Sequence, residues 1–217
     1  MIIAIDGPAG SGKSTTAKLL ADKLRFIYLD TGAMYRAVTL FLLNNRIDIN
    51  NNTDVQRSLE KIDLSIKNEN KFEVYLNSQN VTNNLRQTNV DDSVSYVSKI
   101  LAVRKKMVIL QRDFSNNKNI VVEGRDIGSN VFPNAEFKFF LIADVLERAK
   151  RRFNDQMDKK KLSISELVEK IKKRDKIDSN RLISPLIKVD DAIEINTTFL
   201  TIEEQVTKIY EIIIEVT

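Results

Sequence analysis

The stretch MIIAIDGPAGSGKST, Met1 to Thr15, runs from a short apolar segment straight into Gly7-x-x-x-x-Gly12-Lys13-Ser14. Ile2 to Ile5 reads as a buried strand and Thr15 to Leu24 as a helix that begins near Lys13, so the glycines fall at a strand-to-helix turn. Glycines at Gly7, Gly10 and Gly12 permit positive-φ backbone and a close approach to a ligand. The chain from Gly7 through Pro8, Ala9, Gly10, Ser11, Gly12, Lys13, Ser14 and Thr15 can then wrap a polyphosphate with its backbone dipoles. The positive end of the following helix, the Lys13 ammonium reaching the β- and γ-phosphates, and a Ser14 hydroxyl suited to Mg²⁺ complete a site for a nucleoside triphosphate.

Outward from this loop, further short apolar runs alternate with helical patterns. FIYLD (26–30) leads into a helix that Asp30 or Thr31 caps, with Tyr35 and Arg36 in its first turns and Leu40, Leu42 and Leu43 on its apolar face. The texture changes from Ile47 to about Gln87: a short amphipathic helix (53–62) precedes DLSIK and KFEVYL, which flank Asn68-Glu69-Asn70 and read as a β-hairpin in a small inserted lobe. Helical periodicity returns at 90–100 and 103–114, carrying Ser95, Arg104 and Arg112. NIVVE (119–123) ends in Gly124-Arg125-Asp126-Ile127-Gly128, and KFFLI (138–142) precedes a basic helix from Val145 to about Met157. Ser163-x-x-Glu166 is a capping box opening a helix to about Asp175, AIEIN (192–196) is the last strand, and Thr201-x-x-Glu204 caps the terminal helix. The pattern is that of an α/β chain with a doubly wound, five-stranded parallel sheet, whose ligands sit at the carboxyl ends of the strands.

A length of 217 residues suits one such core with insertions rather than two independent domains. There is no cysteine, so neither disulfides nor thiolate metal sites are available, and a reducing cytoplasm is the expected compartment. No apolar run is long enough to span a bilayer, and no secretory leader is expected. The net charge of +4 comes from 34 Lys and Arg interleaved with 30 Asp and Glu, which favours a local anion pocket over a nucleic-acid surface.

The absence of histidine excludes imidazole as base or ligand, so catalysis must rest on carboxylates, cations and backbone dipoles. Arg36 follows the second strand, Arg125 and Asp126 the third, and Arg174 and Arg181 flank Asp178 near the fifth. Arginines so placed around a triphosphate suit a second anion and a transferred phosphoryl group. A hydroxyl acceptor needs a base, whereas a nucleoside monophosphate presents an oxygen already ionised at neutral pH, its second pKa being about 6. The expected chemistry is therefore in-line transfer of the ATP γ-phosphoryl to an acceptor phosphate, aided by Mg²⁺, Lys13 and the arginines. A P-loop kinase for another small phosphate or acid acceptor, or a nucleotide-dependent switch, shares the same loop.

IDGPAGSGKSTTAK at the start, LDTGAMYRA (29–37), EGRDIG (123–128), RDKIDSNRLISPL (174–186) and DDAIEINTT (190–198) together resemble the bacterial cytidylate kinase family, in the family's order and across the whole chain. The resemblance implies transfer of phosphate from MgATP to CMP or dCMP by a monomer. It divides the chain into a core of 1–46, 88–147 and 182–217, an acceptor lobe of about 47–87 and a lid of about 148–181. It makes Thr31, Tyr35, Arg36, Arg125 and Arg181 similar to the groups lining the acceptor phosphate, and Ser95, Arg104 and Asp126 similar to the cytosine readers. An acid, an arginine and a hydroxyl complement cytosine's N4 donor and its N3 and O2 acceptors. Arg174 and Asp178 resemble the sugar-contacting pair, and Lys13, Arg125, Arg174 and Arg181 the catalytic cations. Ser14 would meet Mg²⁺ directly and Glu123 through water. Three features depart from the pattern: Asn196 in place of the usual Asp, Leu101 in place of a proline before Arg104, and Ser129-Asn130 in place of Thr-Val.

Overall fold

A computed structural model of the protein describes residues 1–68, 71–155 and 162–216. The strand β1 (Ile2–Asp6) is apolar without alternation, and Ile3, Ala4 and Ile5 are fully buried, as a strand covered on both faces requires. It is followed by α1 (Lys13–Leu24), β2 (Ile27–Asp30), α2 (Thr31–Asn44), α3 (Asn52–Glu60), β3 (Leu64–Lys67), β4 (Glu73–Leu76), β5 (Gln79–Asn80), α4 (Thr88–Val97) and α5 (Leu101–Ser115). Then come β6 (Ile120–Glu123), a turn of π-helix (Ile127–Val131), β7 (Phe137–Ile142), α6 (Val145–Asn154), α7 (Ile164–Ser179), β8 (Ile193–Asn196) and α8 (Ile202–Val216).

Five strands form one sheet in the order β2-β6-β1-β7-β8. The registers are parallel, with Ile3 opposite Val121 and Phe137, and Phe139 opposite Ile193. Successive crossovers leave β1 in one direction toward β2 and in the other from β6 to β7 and β8. The reversal of strand order lies at β1, where Asp6 hands the chain to Gly7. The expected doubly wound sheet is thus the observed one.

The chain divides into two compact units, Met1–Ile27 with Lys118–Thr217, and Tyr28–Asn117. In the first, α7 runs to Ser179 instead of ending near Asp175. The polar run Arg174 to Ser179 has little apolar content of its own to hold a helix, so this last turn depends on tertiary ion pairs made by Asp175 and Asp178. Both capping boxes form: Ser163 with Glu166, and Thr201 with Glu204, whose carboxylate accepts the Thr201 N–H at 2.8 Å while Thr201 Oγ1 accepts the Glu204 N–H at 3.2 Å. The basic helix α6 ends at Asn154 with Asp155 as its C-cap; the expected end at Met157 lies outside the described residues, as do Glu69 and Asn70 of the expected hairpin turn.

In the second unit β3 and β4 pair antiparallel, as the alternation predicts, with Ser65 opposite Tyr75. A third strand, β5, extends this sheet through a two-residue loop at Asn77-Ser78, both with positive φ (48° and 66°), the geometry of a type I′ turn. Helix α3 is capped by Asn51, whose side chain accepts from Thr53 N and Asp54 N.

One buried feature of this unit carries no hydrogen bond. Gln111, on the buried face of α5 with Val103 and Met107, is 0% exposed, and neither amide atom has a hydrogen-bond partner among the described residues. An orphaned buried amide costs about 1–3 kcal/mol. Gln111→Met, close to it in size, is expected to raise stability by about 1–2 kcal/mol in a denaturant titration; an unchanged or lower midpoint would show the amide to be satisfied.

Candidate active site

The loop after β1 takes the conformation its glycines allow, with positive φ at Gly7 (144°), Gly10 (77°) and Gly12 (93°). At Gly7 the requirement is also steric, since a Cβ there would lie 2.1 Å from the Leu141 carbonyl oxygen of β7. Beyond Gly12 the helix α1 opens with Lys13 and Ser14, and Thr16 donates to the buried Gln205 of α8 at 2.8 Å. Thr197, just past β8, donates to the Ser11 carbonyl at 3.0 Å and fastens the loop from the other side.

Lys13 is only 4% exposed; its Nζ donates to the Pro8 carbonyl at 2.6 Å and to Ser11 Oγ at 3.3 Å. Burial pushes the ammonium down to about 7, the nearby guanidinium of Arg125 adds to this, Glu123 opposes it, and Arg174 lowers it further. Lys13 therefore shares its surroundings with two guanidiniums and with the carboxylates of Glu123 and Asp6. Ser14 Oγ donates to Glu123 Oε1 at 2.5 Å, so the hydroxyl and the carboxylate at the end of β6 stand together. These are hard oxygen donors of the kind Mg²⁺ takes. Among the described residues no group of three or more acidic, His or Cys side chains is placed to hold a metal ion.

The guanidiniums of this unit are ordered by carboxylates. Asp178, 3% exposed, receives Arg125 Nε at 3.0 Å and lies 4.0 Å from Arg174 Nε one turn earlier on α7. Burial by itself would raise the Asp178 carboxyl, but Arg125, Arg174 and Arg181 outweigh it and hold the group below the usual carboxylate range. Arg181 Nη2 meets Asp126 Oδ1 at 3.1 Å and its Nε donates to the Ser184 carbonyl at 2.5 Å. Asn130 Nδ2 donates to the other Asp126 oxygen at 3.1 Å, so one of the departures, Asn130, acts to hold an expected site residue.

Sequence reasoning gave no role to Asp6. Its two oxygens accept the backbone N–H groups of Ile127 (2.9 Å) and Gly128 (2.8 Å), which ties the end of β1 to the turn that presents Arg125 and Asp126. Burial pushes its carboxyl up to about 6, against those two hydrogen bonds and with help from Asp126. A charged residue ending a strand buried on both faces was the available signal, because such a carboxylate must find donors. Asn196, a second departure, accepts from Thr198 N at 3.0 Å and Thr198 Oγ1 at 2.7 Å through its amide oxygen, as an aspartate could.

The second unit groups the remaining candidates. Asp30 caps α2 by accepting the Ala33 N–H at 2.9 Å, and the helix sets Thr31 and Tyr35 on one buried face with Arg36 beside them. Arg36 Nε pairs with Asp91 Oδ1 at 3.1 Å; Asp91 lies one turn before Ser95 on α4. The 2%-exposed Arg104 lies with its guanidinium carbon 5.6 Å from the centre of the Tyr35 ring, and its Nη1 donates to the Ser98 carbonyl at 3.3 Å. Leu101, the third departure, is the first residue of α5, where a proline is favoured because the N–H has no helical partner, and the first helical bond, Arg104 N to Ile100 O at 3.0 Å, forms without it. Sequence alone marks Asp91 only as part of a helical stretch, since its pairing with Arg36 spans 55 residues.

A parallel sheet reversing at a glycine-wrapped loop, with a buried lysine, a hydroxyl and clustered guanidiniums at its strand ends, defines a P-loop kinase. A shikimate kinase from Acinetobacter baumannii in complex with shikimate shares this fold, with a TM-score of 0.50 at 15% identity over 100% of this chain and 94% of that one. The cytidylate kinase family model matches residues 3–215. The cytidylate kinase of Fusobacterium nucleatum is 50% identical over 205 residues, 94% of this chain and 93% of its own. That of Bacillus licheniformis is 46% identical over 216 residues, 98% of this chain and 96% of its own. The chain belongs to the cytidylate kinase family.

Proposed function

We propose that the protein transfers the γ-phosphoryl group of ATP to CMP or dCMP, giving ADP and CDP or dCDP. The observation that carries this reading is the buried Lys13 of the P-loop in one unit with Arg125 and Arg174, both ordered on Asp178, in a chain without histidine. An ionised phosphate oxygen of the acceptor attacks the γ-phosphorus in line, its bond forms as the bond to the β–γ bridging oxygen breaks, and no proton need be removed. Family membership favours this acceptor over the other acids and over a nucleotide switch.

In this reading the backbone of residues 7–15 holds the β- and γ-phosphates and Lys13 neutralises charge on the transferred group. In the first unit Arg125 and Arg181 serve the acceptor phosphate and Arg174 and Asp178 its sugar; in the second, Thr31, Tyr35 and Arg36 are assigned to the phosphate. Ser95, Arg104 and Asp126 read the cytosine edge. Ser14 would hold Mg²⁺ directly and Glu123 through water, the ion supplying charge neutralisation on the phosphate oxygens. Residues 47–87 serve as the acceptor lobe and 148–181 as a lid. No helix among the described residues is long and apolar enough to cross a membrane, and we take the protein to act in the cytoplasm as a monomer.

The reading is tested by ADP release with MgATP and each of CMP, dCMP, UMP, AMP, GMP and shikimate. Fast turnover confined to CMP and dCMP supports it, and slow release indifferent to acceptor refutes it. Asp126→Ala is expected to reduce preference for CMP over UMP by about tenfold or more, because a buried reader of the amino group is lost. Equal losses of kcat/KM for CMP and UMP would instead mean that Asp126 acts only by holding Arg181.

A further inference from the structure

One buried ion pair, both of whose members lie within 148–181, has no binding or catalytic role in the reading above. Arg148, in the first turn of α6, is 7% exposed; its Nη1 donates to Asp175 Oδ2 of α7 at 2.6 Å and to the Ala9 carbonyl of the P-loop at 3.0 Å. Its Nε donates to the Ala143 carbonyl at 3.0 Å, which fixes the plane of the guanidinium. The other Asp175 oxygen accepts the Ala9 N–H at 3.3 Å. Both backbone polar groups of Ala9 are therefore held by one Arg–Asp pair.

The peptide plane makes this consequential. The Ala9 carbonyl and the Gly10 N–H belong to the same trans peptide, in which C=O and N–H point in opposite directions. Drawing the carbonyl onto Arg148 sets the direction of the Gly10 N–H, away from the guanidinium. Gly10 also permits the approach, because a Cβ there would lie 3.2 Å from Arg148 Cβ and 3.3 Å from the Arg148 carbonyl oxygen. A guanidinium already paired with a carboxylate keeps one orientation, whereas an unpaired one would turn toward any phosphate within reach.

We propose that the Arg148–Asp175 pair is a positioning device for the P-loop, in which Asp175 holds Arg148 on the Ala9 carbonyl so that the Gly10 N–H is aimed as a donor to the triphosphate. The choice of ligand rests on the kinase reading. Asp175 touches no substrate; it acts through Arg148 and the Ala9–Gly10 peptide, so its loss weakens ADP and ATP binding and leaves acceptor binding alone.

The test uses the full chain with Asp175→Ala and Asp175→Asn, glycine-selective ¹⁵N labelling, MgADP titration and the CMP assay. In the wild type the Gly10 amide resonance moves downfield on MgADP binding. In Asp175→Ala that shift is largely lost and MgADP affinity falls about tenfold, the loss of roughly one charge-assisted hydrogen bond, with KM for CMP within about twofold of wild type. Asp175→Asn still offers an acceptor to the Ala9 N–H but leaves Arg148 uncompensated, and falls between the two; should the alanine variant fail to fold, the asparagine variant decides on the same readouts. A lowered melting temperature with the Gly10 shift and MgADP affinity intact would reduce Asp175 to a stability role and overturn the proposal. Wild-type protein that shows the Gly10 shift with MgADP but does not phosphorylate CMP would refute the kinase reading and leave the positioning role standing.

Discussion

Lys13→Met is expected to lower turnover of CMP with MgATP by on the order of 10²–10³-fold while leaving the protein at least as stable as the wild type. The two effects have opposite signs for one physical reason. An ammonium 4% exposed is favourable only when phosphate charge faces it; in the free protein its desolvation, with the repulsion of Arg125 and Arg174, outweighs the attraction of Glu123 and Asp6. Methionine fills a similar volume without a charge and gives up only the bonds to Pro8 and Ser11. The pH dependence follows from the group's descent from 10.5 to about 7. Between those values the unfolded chain binds a proton at Lys13 that the folded protein does not, so ligand-free wild type gains stability as pH rises from 7 toward 10 and loses it as pH falls to 7. Thermal unfolding of both proteins across that window should show the difference between them narrowing as pH rises. A variant that retains most of its turnover would refute the role given to Lys13, and one that unfolds at neutral pH would refute the account of its burial.

Arg125→Ala is expected to lower kcat/KM for CMP by about 10²–10³-fold with KM for ATP changed far less. Arg125 follows the last residue of β6 by two positions; Asp178 orients its Nε and the Gly124 carbonyl accepts from its Nη1 at 3.2 Å, which sets the plane in which the other Nη donors meet an acceptor phosphate. Removing it does not strand the buried Asp178, because Arg174 and Arg181 continue to act on that carboxylate. The fold should therefore survive, and the loss should report on the acceptor rather than on collapse of the site. Steady-state kinetics with each substrate varied in turn separates these possibilities. Equal rises in KM for ATP and CMP would place Arg125 on the shared phosphoryl group alone.

The parts of the molecule that were legible in the sequence are those written locally. The turn from Ile5 to Ser14 has a glycine spacing that few other conformations tolerate, β1, β2 and β6 are apolar runs that end in an acid, and two capping boxes mark their helices in four residues each. What was not legible is carried by side chains distant in sequence. Asp6 to Gly128, Arg36 to Asp91 and Arg148 to Ala9 span 122, 55 and 139 residues, and nothing in the local pattern of either partner names the other. The last turn of α7 was missed for the same reason, since its helicity is maintained by ion pairs to other elements rather than by propensity or an apolar face. The strand β5 had a local signal in Asn77-Ser78, but two residues of strand are too few to show alternation.

Transfer of the γ-phosphoryl group itself is the most direct test. Protein incubated with [γ-³²P]ATP, Mg²⁺ and CMP should move the label into CDP, one labelled CDP for each ADP formed, at a rate that depends on CMP. Label appearing only as inorganic phosphate, at a rate indifferent to CMP, would contradict the account.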